Sequence, residues 1–140
     1  MQHNYSSSGR IPNMQNPKKS KELGEKGEIL AANYLKSLGF NIITTNFHTR
    51  YGEIDIIASK DQSTLTFFEV KTRTDRSINM PEESITYQKK QRLIKTALTF
   101  LNKSQNQIQP IKSWRISLIS ILLQSARPSA RPTIEIIDIY

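Results

Sequence analysis

Charged side chains stand inside the two most apolar stretches of this chain, and that placement restricts what it can fold into. The runs Glu53-Ile54-Asp55-Ile56-Ile57 and Leu65-Thr66-Phe67-Phe68-Glu69-Val70-Lys71 are rich in β-branched and aromatic residues, and the polar segment Ser59 to Ser63 separates them. They read as two strands of an antiparallel hairpin. With side chains alternating at a period of two, Ile54, Ile56 and Ala58 share one face of the first strand, and Glu53, Asp55 and Ile57 share the other. On the second strand Phe68 and Val70 oppose Phe67, Glu69, Lys71 and Arg73. Strands this apolar belong near the middle of a sheet, where an unpaired ion costs several kcal/mol. A fold built on them must compensate the charge.

Two kinds of compensation are open. Glu69 can pair with Lys71 or Arg73 along a half-exposed face, an arrangement that is common and contributes little. Alternatively, the Asp and Glu oxygens of neighbouring strands, with a backbone carbonyl, suit a hard divalent cation such as Mg²⁺, with water completing the coordination. The chain has no cysteine and only two histidines, His3 and His48, so thiolate and histidine-rich centres are excluded and any metal would take oxygen ligands.

Around the hairpin the periodicities lay out one domain. Leu23, Gly27, Leu30, Ala31, Tyr34 and Leu38 recur at steps of three and four and predict an amphipathic helix beginning near Lys21 and ending at Gly39. Phe40 to Thr45 reads as a short strand and Asn46 to Tyr51 as a connection. Leu93, Ile94, Ala97, Leu98 and Leu101 mark a second helix between Glu83 and Lys103. Trp114 to Leu123 and Thr133 to Tyr140 are further strands, set apart by the Pro128 and Pro132 region, which cannot lie inside a ladder. The expectation is an α/β fold of order α-β-β-β-α-β-β. Residues 1–21 read as a disordered basic tail and residues 22–140 as the folded domain.

Twenty Lys and Arg against twelve Asp and Glu leave a net charge of +8, which favours polyanionic partners. No run of about eighteen apolar residues is present and the N-terminus lacks the apolar core of a signal peptide, so the expected protein is cytoplasmic and does not enter a membrane. Lys89, Arg92 and Lys95 fall on the rim of the second helix, where they are either phosphate contacts or a solvated face. Tyr51, Tyr87 and Trp114 are either bases' stacking partners or core.

The arrangement Asp55 … Glu69-Val70-Lys71 on a hairpin that follows an opening helix resembles the PD-(D/E)XK nuclease superfamily. More closely, Gly24-x-x-Gly27-Glu28-x-x-Ala31, Gly52-Glu53-Ile54-Asp55-Ile56-Ile57-Ala58, Phe68-Glu69-Val70-Lys71-x-Arg73 and the stretch Lys89 to Leu93 are similar to the YraN-like family of small bacterial predicted endonucleases. That resemblance runs from about Gly24 to Leu101. It implies a restriction-endonuclease-like core, a mixed sheet flanked by two main helices. It further implies that Asp55 and Glu69 hold Mg²⁺ or Mn²⁺ with the carbonyl of Val70, that Lys71 assists catalysis, and that Glu28 reaches the site from the first helix. The second helix would border the site, with Lys89 and Arg92, and Arg73 on the hairpin, as contacts to nucleic acid.

The chain departs from the family pattern in its outer parts. His48, followed by Arg50, stands where an arginine is usual; Ser77 to Pro81 lack the usual glycine; and Arg115-Ile116-Ser117 lacks the usual acidic residue. None of these touches an implied metal ligand. The function expected is metal-dependent hydrolysis of phosphodiester bonds in DNA, of structured or branched form. The alternative is a nucleic-acid-binding or DNA-repair accessory module that keeps the fold without turnover. A monomer and a homodimer are both compatible with the chain, and Glu53 is weighed as either a site residue or a partner for Arg73.

Overall fold

A computed structural model describes residues 16–74, 85–104, 110–124, 127 and 129–140. The elements are α1 (Pro17–Ser37), β1 (Asn41–Thr49), β2 (Gly52–Ser59), β3 (Thr64–Thr74), α2 (Tyr87–Ser104), β4 (Ser113–Leu123) and β5 (Thr133–Asp138), in the order that the periodicities predict. The strands form one sheet in the order β1-β2-β3-β4-β5. Neighbours are antiparallel except β3 and β4, which run parallel from Thr64↔Ser113 to Thr74↔Leu123. A parallel pair needs a crossover, and α2 supplies it.

Each helix closes one face of the sheet. Leu93, Ala97 and Phe100 of α2 pack with Ile54, Ile57, Leu65, Phe67 and Ile116. Ala31 and Leu35 of α1 pack with Ile56, Ala58, Phe68, Ile119 and Ile121. The three inner strands are therefore sealed on both sides, as their near-continuous apolar runs require, while β1 and β5 keep half-exposed patterns at the edges. This is a mixed α/β fold of the restriction-endonuclease-like type. Among the described residues no helix is long and apolar enough to cross a membrane.

Several boundaries differ from those expected. Helix α1 begins at Pro17 instead of near Lys21: Asn16 caps it, its side chain accepting from the Lys18 N–H at 3.1 Å, and proline takes the first helical position. The first turn projects into solvent, so apolar periodicity is silent there. Helix α2 begins at Tyr87, because the Thr86 hydroxyl accepts the Lys89 N–H at 3.1 Å; Glu83, where the pattern starts, lies outside the described residues. Strand β1 continues to Thr49 through residues read as a connection, and Asn46 within it has φ 52. Residues 1–15 of the expected tail also lie outside the described residues.

Candidate metal centre and adjoining cleft

Asp55 sits where strict alternation fails. Ile56 belongs to the α1 core but Ile54 to the α2 core, so these two residues, expected on one face, lie on opposite faces. On β1 the same break appears at Asn46, between Thr45, which pairs with Ile56, and Phe47, which pairs with Ile54. Asparagine is one of the few residues that tolerates the left-handed φ this requires. The β2–β3 ladder stops at the same level, its last pair being Ile56↔Phe68. Beyond that point the Asp55 side chain reaches β3, where its Oδ2 accepts the Val70 N–H at 2.7 Å. The carboxylate thus serves as an acceptor just where the backbone ladder has ended.

Glu69 stands on β3 beside Asp55, and both are nearly excluded from solvent, at 8% and 7% exposure. Burial, with the nearby Glu69 carboxylate adding to it, pushes the Asp55 carboxyl up to about 7, against the opposing effect of the Val70 N–H. Lys89, from the first turn of α2, places its Nζ 2.6 Å from Glu69 Oε1. Glu69 thus forms a salt bridge with Lys89 on another element, a partner that the expected pairing with Lys71 or Arg73 along its own strand does not include. Lys71, two residues along β3, is exposed and makes no ion pair among the described residues. Arg73 is half-buried near the end of β3 and is held by interactions there.

Glu28 approaches from α1, and the residue before it explains how. A Cβ on Gly27 would lie 1.7 Å from Thr72 Oγ1 and 2.8 Å from Thr72 Cβ, so only glycine lets α1 press this closely on β3. Glu28 then faces the acidic residues: its carboxyl is raised by burial and by Glu53, with smaller contributions from Glu25 and Glu69, while a hydrogen bond with the Asn46 side chain opposes the shift. Glu53 is exposed and pairs with His48 Nδ1 on β1 at 3.1 Å.

A cleft of about 570 Å³ opens beside Glu69, lined by Gly52, Glu53, Thr86, Gln88, Lys89, Arg92 and Leu93. Its wall is held in place by a short polar relay, in which buried Thr96 of α2 bonds the Arg92 carbonyl at 2.8 Å and lies 3.3 Å from Thr49 Oγ1 at the β1–β2 turn. Arg92 is exposed at the rim. Next to it the Tyr51 ring is approached by Arg50 at 4.8 Å and Lys95 at 5.6 Å. Trp114 instead packs edge-on against Phe67 and beside Tyr140, and Tyr87 is exposed.

Among the described residues no three carboxylate or imidazole side chains are gathered closely enough to hold a metal ion by themselves. Asp55 and Glu69 make a pair, and the donor set that suits Mg²⁺ is such a pair with a main-chain carbonyl and water. Burial first, and the Glu69 carboxylate with it, push the Asp55 carboxyl up to about 7, which marks a site short of positive charge, so this chemistry fits a cation. Asn46 is the site residue that sequence reasoning missed. An asparagine amid a β-like stretch is the signal that could have found it.

Comparison with known proteins adds a family. Residues 27–121 match the model of the Uncharacterised protein family UPF0102. The chain is 42% identical over 108 residues to a UPF0102 protein of Syntrophomonas wolfei, covering 77% of this chain and 90% of that one. It is 43% identical over 103 residues to one of Geotalea daltonii, covering 74% and 78%. A third, from Alkaliphilus metalliredigens, is 46% identical over 82 residues, covering 59% and 71%.

Proposed function

The chain belongs to the uncharacterised protein family UPF0102, the YraN-like family of small bacterial proteins, and on the chemistry of its buried carboxylates we propose that it is a metal-dependent endonuclease that hydrolyses phosphodiester bonds in DNA. The observation that carries this reading is the Asp55–Glu69 pair, two nearly buried carboxylates at the point where β2 and β3 separate. Buried like charges are costly to keep, and a divalent cation repays that cost while serving hydrolysis. Mg²⁺ or Mn²⁺, held by Asp55, Glu69 and the Val70 carbonyl, would polarise a phosphoryl oxygen and lower the pKa of water.

The remaining roles fall to the chain's own side chains. Lys71, exposed and unpaired among the described residues, is free to orient the nucleophile or to meet charge developing on phosphorus. Glu28 and Asn46 brace the acidic side of the site from α1 and β1. Arg92 borders the cleft on α2 and, with Lys95 one turn further along beside Tyr51, supplies contacts to phosphate, in keeping with the net charge of +8. None of these groups reads base sequence, which favours a substrate recognised by shape, such as branched DNA.

The test is single-turnover cleavage of linear, flapped and four-way DNA by the purified chain with and without chelator. Magnesium-dependent cleavage is expected, abolished in Asp55→Asn and lowered by about two to four orders of magnitude in Lys71→Ala, the scale of losing a positioned catalytic group. Binding that weakens with salt but never leads to cleavage would replace the enzyme with an accessory module. Neither binding nor cleavage would remove nucleic acid as the partner.

A further inference from the structure

Lys89 holds a position that its sequence context does not announce. Its main chain is fixed in the first turn of α2, where its N–H bonds the Thr86 hydroxyl at 3.1 Å, so only the flexible four-carbon side chain can move. That side chain ends 2.6 Å from Glu69 Oε1, with 38% of the lysine side chain exposed against 11% of the glutamate's. The ammonium therefore has a route to solvent that the carboxylate lacks. The cleft next to it, about 570 Å³ and lined also by Gln88 and Arg92, has room for the side chain once it leaves.

We propose that Lys89 is an exchangeable cation: it neutralises Glu69 while the site is empty of metal, yields when a divalent ion enters, and then binds a phosphate of the nucleic acid in the cleft. This rests on the reading that Asp55 and Glu69 hold the metal. An ammonium and a divalent ion sharing one carboxylate repel each other strongly at such separations, so the two occupancies exclude one another. Once displaced, the positive charge lies in the cleft beside Arg92, where a phosphate is the natural counter-ion. Linkage makes the relation reciprocal. Metal frees Lys89 for phosphate, and phosphate, by drawing Lys89 from Glu69, raises the affinity for metal by the same factor.

Calorimetric titration with Mn²⁺ tests this without relying on turnover, using wild type, Lys89→Gln, Lys89→Met and the charge-keeping Lys89→Arg, each checked for folding by circular dichroism. Without DNA, the Gln and Met variants should bind Mn²⁺ about tenfold more tightly than wild type, within the range typical of coupling between sites, and the Arg variant should stay close to wild type. With a phosphorothioate-linked four-way DNA present, wild type should gain affinity for Mn²⁺ and the Gln and Met variants should not. Equal or weaker Mn²⁺ binding by whichever neutral variant folds would overturn the exchange while leaving the metal site standing. Absence of Mn²⁺ binding by wild type would overturn the nuclease reading and the exchange with it.

Discussion

Asp55 is a carboxylate asked to sit where water is scarce and another carboxylate is near. Its folded-state value of about 7 lies above the ordinary 3.8, so the folded protein holds a proton that the unfolded chain releases. The sign follows from linkage: the stability contributed by this residue is fully present below about pH 3.8 and is lost as pH rises through about 7. In chelator, the urea midpoint of wild type relative to Asp55→Asn should therefore fall between pH 4 and pH 7.5, and a difference that stays flat would show that Asp55 titrates normally. Asp55 and Glu69 were legible in the sequence because charge inside a strand-like apolar run is conspicuous. The salt bridge from Lys89 to Glu69 was not, since spacing along one strand points to Lys71 or Arg73, whereas Lys89 stands on a distant element. Contacts between elements leave no periodic trace.

At the scale of elements, α1 shows how a backbone approach positions a functional side chain. Within a helix, Gly→Ala ordinarily stabilises by about 1 kcal/mol. Gly24 and Gly27 lie in the same helix, yet a Cβ at Gly24 meets nothing within 4 Å, while one at Gly27 runs into the Thr72 side chain. Gly24→Ala should therefore stabilise by up to about 1 kcal/mol, whereas Gly27→Ala should destabilise by about 1–3 kcal/mol through overpacking. Chemical denaturation of both variants checks this, and two changes of the same sign would contradict the close packing of α1 on β3. Helix type and order were readable from the three- and four-residue spacing of Leu23, Ala31, Leu93 and Ala97. The ends were less so, because the first turn of α1 carries no apolar residue and is set by Asn16 and Pro17 instead. The sequence pattern ends β1 at Thr45 because Asn46 reads as a turn residue, although its left-handed φ continues the strand while the side-chain alternation breaks beside Asp55.

Over the whole molecule, two helices close the faces of one sheet and the candidate site lies where that sheet opens. The α1 side brings Glu28 to it, the α2 side brings Lys89 and Arg92, and the parting of β2 from β3 admits Asp55 to the main chain of Val70. A chain of net charge +8 thus keeps its buried carboxylates together under a basic rim, which is how a cation and a polyanion can be held at one place. The metal is the premise on which the other roles depend. Anomalous diffraction from crystals grown with Mn²⁺ tests it most directly. A peak is expected about 2.1 Å from oxygens of Asp55, Glu69 and the Val70 carbonyl, with Lys89 turned away from Glu69. Crystals in which no peak lies between those carboxylates and Lys89 still holds Glu69 would contradict it.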